Sequence, residues 1–158
     1  MRACVSLFSL CACLTAVGCA RDVIPNTDVE DTAETREVVE FVEEYRKALA
    51  ARDSSKLLSL ASDDYYDDLG TPSGTDDVDK KGLGERLDQA FSDELLDVHY
   101  DIRYHDVIFK SSKVLVDITY IGRFQIITPE GPRWERRLNS NRLVLAREGD
   151  VYRILSGM

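Results

Sequence analysis

The sequence predicts an α+β domain, with three amino-terminal helices packed on one face of a mainly antiparallel sheet. Three observations carry this. Apolar residues recur at helical spacing in three stretches between residues 38 and 95. The chain then turns to β-rich runs, the first of which alternates apolar and polar residues. Pro- and Gly-marked turns separate the later runs closely enough for hairpins.

In the first helix, Val38, Phe41, Val42, Tyr45, Ala48 and Leu49 form one apolar stripe. Asp31 or Thr32 caps its start, and Glu34 lies in the first turn, where the macrodipole favours an acid. Asp53 caps a shorter second helix whose apolar side is Leu57, Leu58, Leu60 and Ala61. The pattern lapses in SDDYYDD, and residues 70–82, GTPSGTDDVDKKG, read as a loop. Leu83, Leu87, Ala90, Phe91 and Leu95 restore the stripe for a third helix. Val98, Tyr100, Ile102, Tyr104 and Ile108 then alternate with His99, Asp101, Arg103 and His105, as in a half-buried strand. Further strands run from Val114 to Thr128, from Arg133 to Arg147 and from Val151 to Leu155, separated by TPEGP and EGD turns.

At 158 residues and 17.8 kDa the chain has room for one domain. Its net charge of −9 argues against a nucleic-acid partner, which a basic patch would serve. The four cysteines are Cys4, Cys11, Cys13 and Cys19, so no disulfide staples the later chain. With no later cysteine and no closely spaced His pair, no metal site is expected, and no motif implies a cofactor.

Met1-Arg2 followed by the apolar run Ala3 to Val17 has the layout of a secretory signal peptide. Its end, Leu14-Thr15-Ala16-Val17-Gly18-Cys19-Ala20, resembles a bacterial lipoprotein signal, although Ala16 stands where that pattern has Leu. The resemblance implies a signal peptide over 1–18 and a Cys19 that carries acyl chains such as palmitate. An ordinary secretory signal with an incidental Cys is the other reading. Residues 19–32 then read as a lipidated Cys and flexible acidic tether, and 33–158 as the domain. Ala20 in place of an Asp favours the outer membrane, facing the periplasm, in a cell with two membranes.

FVEEYRKALAARDSSKLLSLASDDYYDD near the start and RLVLAREGDVYRILSGM at the end resemble the nuclear transport factor 2-like superfamily. This cystatin-like cone group includes ketosteroid isomerase, scytalone dehydratase and the SnoaL-like polyketide cyclases. The resemblance implies a strongly curved sheet that encloses a pocket with the helices, used by some members for catalysis and by others for binding or assembly. An isomerase of this kind needs a carboxylate base, a Tyr and a protonated acid. Tyr45 matches the Tyr, and it also simply continues the core stripe. The base position falls on Leu69, with Asp68 one residue away, and the second acid on Asn141 or Arg142. Asp63, Asp64, Asp67, Asp68 and Asp76 otherwise read as a solvated loop edge.

The weak catalytic candidates are therefore Asp68, Asp117 and Tyr45. Asp117 shares a strand face with Thr119, Arg123 and Gln125, so pairing with an Arg on an outward face is its other reading. Tyr66, Tyr104, Tyr120 and Trp134 are candidates to line a pocket. Arg133, Arg136, Arg137 and Arg142 could bind an anion or balance nearby acids. His99 and His105 share one face of a strand, about 20 Å apart, and read as exposed. Three functions stay open: a lipid-anchored envelope protein binding a small apolar ligand or a protein without catalysis; a SnoaL-like isomerase, cyclase or dehydratase; and a homodimeric assembly module whose cone is filled.

Overall fold

The computed structural model describes residues 22–91 and 95–158. The leader and Cys19 lie outside the described residues. Helix α1 (Ala33–Ala51) starts at Thr32, whose hydroxyl accepts from the Thr35 N–H at 3.1 Å while the Thr32 N–H donates to the Thr35 hydroxyl at 3.0 Å. This reciprocal cap satisfies donors that a helix start would otherwise leave unpaired. Val38, Val42, Tyr45 and Ala48 are buried on the expected stripe, joined by Val39. Arg52, in the left-handed conformation, ends the helix.

Helix α2 (Ser54–Leu60) starts under the Asp53 cap and turns Leu57 and Leu60 inward. Strands β1 (Tyr66–Asp67) and β2 (Val78–Asp79) then pair across the expected loop. Helix α3 (Lys80–Ala90) begins inside that expected loop, because the Asp79 side chain accepts the Gly82 N–H at 2.7 Å. Leu95, expected at the end of the third helical stripe, instead opens the sheet.

That sheet is β3 (Leu95–Phe109), β4 (Val114–Thr128), β5 (Gly131–Glu148) and β6 (Val151–Ser156), antiparallel throughout and in the order β3-β4-β5-β6. Val98, Tyr100 and Tyr104 face inward as the alternation requires. A bulge between Tyr104 and Asp106 then adds one residue, so that Val107 is buried and Ile108 is not. An added residue exchanges the two faces and bends the strand, so the expected inward position of Ile108 is corrected.

The main core joins Val38, Val42 and Leu57 to Val116, Ile118, Leu143, Leu145 and Ile154. A polar clamp sets α1 on β3. The Tyr104 hydroxyl donates to Glu43 Oε1 at 2.7 Å, while Arg46 Nε donates to Glu43 Oε2 at 2.8 Å and Arg46 Nη1 to the Tyr100 carbonyl at 3.1 Å.

The expected tether differs from the structure in its described part. Residues 22–32 dock on the domain: Val29 is 2% exposed and the Asp28 N–H donates to the Tyr104 carbonyl at 3.0 Å. The Asp28 carboxylate lies 3.2 Å from both Arg103 and His105. One apolar anchor and one acid suffice for docking, yet they form no period a sequence pattern can reveal.

Arg103, and after it His105, hold the Asp28 carboxyl below its ordinary value of 3.8 through hydrogen bonds. Because the folded value is the lower one, the clamp contributes fully above that ordinary value and is lost as pH falls through the depressed one. Hydrogen-exchange protection of the arm amides is expected to persist above the ordinary value of 3.8 and to fall selectively once the pH drops below it. Asp28→Asn is expected to lower that protection already at neutral pH; unchanged protection would contradict the clamp.

Candidate functional site

Helix α1 packs on β3, and the end of α3 approaches the same inner face through Leu87 and Ala90. Between them lies a cavity of 460 Å³. Tyr45 and Leu49 of α1 and Phe91 beyond α3 line one side of it, and Val98, Tyr100, Tyr120 and Phe124 line the sheet side. Arg137, Asn139 and Asn141 of β5 supply a polar wall. A smaller groove of 290 Å³ adjoins it, sharing Phe91, Phe124 and Arg137 and adding Glu135 and Ile126.

The aromatic side is built from strand register. Tyr100 lies opposite Gly122 and Ile102 opposite Tyr120, and the Tyr100 and Tyr120 rings stack at 5.1 Å. Tyr45 is 4% exposed, and burial raises its phenol pKa well above the ordinary range. Burial does the same for Tyr100. Both phenols therefore serve as neutral hydrogen-bonding groups.

Gly122 keeps the cavity open. Its two cross-strand partners are Tyr100 and Arg137, and the Phe124 ring folds back over it. A Cβ at Gly122 would stand 2.5 Å from two carbons of that ring. The missing side chain lets Phe124 lie against the strand.

The end of the chain completes the wall. Asn141 donates through Nδ2 to the Gly157 carbonyl at 2.6 Å, and the Gly157 N–H donates to Asp67 Oδ2 at 2.7 Å. Gly157 has φ +97°, and a Cβ there would run into the Arg142 carbonyl, so only glycine permits this approach. The fold thereby brings Met158 to the cavity lining.

The expected site residues separate. Tyr45 and Tyr120 line the cavity, and Tyr45 also belongs to the buried helix stripe. Tyr104 is buried but is engaged by Glu43 in the core, outside the cavity lining. Tyr66 is corrected: it is 56% exposed and its hydroxyl bonds Asp77, because the adjacent Tyr65 takes the inward position. Trp134 lies outside this cavity, because in β5 the odd-numbered residues face inward. It is 48% exposed, stacks on His99 at 5.4 Å and lines a separate groove of 320 Å³ with Arg123 and Arg136.

Asp68 is exposed and accepts the Gly70 N–H at 2.9 Å, while Leu69 sits in a left-handed turn with φ 51°. Neither is near the cavity lining. Asp117 faces outward and is held by Arg142 at 2.5 and 2.8 Å, which lowers its carboxyl pKa. Of the loop acids, Asp63 pairs with Lys80 and Asp76 accepts from Thr71, and Asp67 alone reaches the tail. The four-arginine cluster is split. Arg142 and Arg136 lie on the outer face, and Arg137 lies on the inner one, 5.5 Å over the Phe124 ring.

Sequence reasoning missed Tyr100, Phe124 and Asn139 as site residues, and reached Arg137 only within a four-arginine cluster that could bind an anion. The available signal was parity: Leu143 and Leu145 face inward, so Asn141, Asn139, Arg137 and Glu135 must share their face. Among the described residues lining the cavity there is no carboxylate or imidazole side chain, while Glu135 lines the adjoining groove. The arrangement can stack, exclude water and hydrogen-bond.

No protein-family model matches this sequence, and no curated protein matches it. Solved structures do. A Kribbella flavida protein has a TM-score of 0.66 at 19% identity, over 80% of this chain and 90% of its own. A candidate dehydratase of the nuclear transport factor 2-like family from Streptomyces avermitilis scores 0.61 at 16% identity, over 78% and 92%. A Catenulispora acidiphila protein solved in complex with S-DNPA scores 0.58 at 17% identity, over 81% and 92%. Candidate scytalone dehydratase from Novosphingobium aromaticivorans is also similar, at TM-score 0.67 and 9% identity over 78% and 80%. At such identities the likeness carries the fold, which is the nuclear transport factor 2-like α+β cone.

Gly122→Leu is expected to push the Phe124 ring into the cavity at a cost of about 1–3 kcal/mol. A crystal structure of the variant together with denaturant unfolding checks this. A cavity of unchanged volume and unchanged stability would contradict the role given to Gly122.

Proposed function

We propose that this nuclear transport factor 2-like cone is a binding domain of the cell envelope, which holds a small, largely apolar ligand without transforming it. One observation carries the proposal: a 460 Å³ cavity, aromatic on its sheet side, whose described lining contains no carboxylate or imidazole side chain. That volume lies within the range of about 300–1,000 Å³ usual for small-molecule sites. Proton transfer between carbon atoms needs a base in reach of the substrate, and Asp68 and Asp117 are both occupied elsewhere. The Catenulispora protein supports the reading from another side, as a similar fold solved in complex with S-DNPA.

A dehydratase or isomerase is the second reading, favoured by the candidate dehydratases among the similar structures. The filled assembly module fits the open volume poorly. We further propose that the protein is held in the membrane through acyl chains on Cys19. Two or more chains make such an anchor effectively stable. Because the arm docks from residue 22 onward, this anchor would keep the domain close to the bilayer rather than on a long leash.

The test is titration of the full-length protein with N-phenyl-1-naphthylamine, a neutral fluorescent probe, alongside an Ala90→Trp variant. Ala90 is an exposed lining residue, so the indole is expected to block the cavity while leaving the fold intact. Saturable binding that Ala90→Trp abolishes and that Asp68→Asn and Asp117→Asn leave unchanged is the expected result. Absence of binding, or chemical conversion of a bound compound that Asp68→Asn or Asp117→Asn abolishes, would overturn it. Cys19→Ala is expected to move the protein from the membrane to the soluble fraction.

A further inference from the structure

Among the described residues lining the cavity, Arg137 carries the one charged side chain, and its charge is incompletely matched. Its neighbour Glu135 is shared: Arg133 Nη2 holds Glu135 Oε1 at 2.7 Å, whereas Arg137 Nη2 stands 3.7 Å from Oε2. The first distance is a charge-assisted hydrogen bond and the second is too long for any hydrogen bond. Two guanidinium groups over one carboxylate leave one positive charge in excess, and the Arg137 donors free to bind a further acceptor. Asn139, two residues along the same inward face, lines the same wall, and its amide bonds no described residue.

Beside this polar wall, on the neighbouring strands of the same sheet face, the lining is flat and apolar: the stacked Tyr100 and Tyr120 rings, with Tyr120 paired to Asn139, and the Phe124 ring lying under the Arg137 guanidinium, together with Phe91. The net charge of −9 repels anions at long range, but at contact distance an anion meets the Arg137 guanidinium first, whose side chain is 70% exposed and open to a ligand. We propose that the ligand is a small amphipathic anion, whose flat apolar body lies against the tyrosine pair and whose single anionic end is held by Arg137 with Asn139. The proposal rests on the binding reading above and adds the ligand's charge and orientation to it. A guanidinium is suited to the anionic end because it stays charged at all physiological pH values and offers paired donors to carboxylate, sulfonate or phosphate oxygens.

Two probes with one apolar body separate the two readings. 8-Anilino-1-naphthalenesulfonate carries a sulfonate that N-phenyl-1-naphthylamine lacks. With full-length protein at fixed ionic strength, Arg137→Gln is expected to weaken the sulfonate about tenfold and to change the neutral probe by less than about twofold. Arg136→Gln, on the outer face of the same strand, is expected to change neither. Ala90→Trp is expected to block both. If the neutral probe binds and is blocked by Ala90→Trp, but Arg137→Gln affects both probes equally or neither, the binding site stands and the anion assignment is overturned. If neither probe is displaced by Ala90→Trp, the anion assignment falls together with the binding reading.

Discussion

The structure follows from a mismatch between the length of its sheet and the reach of its helices. Strands β3 and β4 have 15 residues each and β5 has 18, so the shorter two span about 50 Å at roughly 3.3 Å per residue. Helix α1, with 19 residues, is about 28 Å long, and α3, with 11, about 16 Å. Inner-face residues under α1 and α2 are dry and aliphatic, as Val116, Ile118, Leu143 and Leu145 are. Beyond that cover, the same face of β5 becomes Asn141, Asn139, Arg137 and Glu135. The cavity is where the cover ends, and its polar wall is what the uncovered strand can carry at low cost.

The clamp of Tyr104, Glu43 and Arg46 fixes how far α1 lies along β3, and with it the depth at which Tyr45 meets Tyr100. Burial keeps those phenols protonated, and an arginine stays charged at any ordinary pH. The groups identified as recognising a ligand thus keep one charge state across neutrality. That suits retention of a ligand, whereas acid–base turnover needs a group that exchanges a proton.

Much of this was legible in the sequence wherever a period ran long enough. The α1 stripe, the Asp53 cap and the bounds of β4 follow directly from apolar spacing and turn residues. What escaped was set by single residues. One bulge residue near His105 exchanged the faces of β3, and one-residue parity placed Tyr65 inward instead of Tyr66 and Arg137 inward instead of Trp134. The docking of residues 22–32 through Val29 and Asp28, and of the tail through Gly157, depends on contacts between segments far apart in sequence. Such contacts leave no local pattern. The site was partly legible: Tyr45 and Tyr120 were, but the polar wall beside Tyr120 was not, because β5 reads as a charged surface strand until its neighbours define its inner side.

The central claim is that the cavity holds a ligand and leaves it unchanged. Native mass spectrometry of the full-length protein, gently extracted from the membranes of its host, tests this most directly. The account predicts one small anion bound per chain, of a single mass that persists on incubation. A chain with an empty cavity, or a bound compound whose mass converts to that of a product over time, would contradict it.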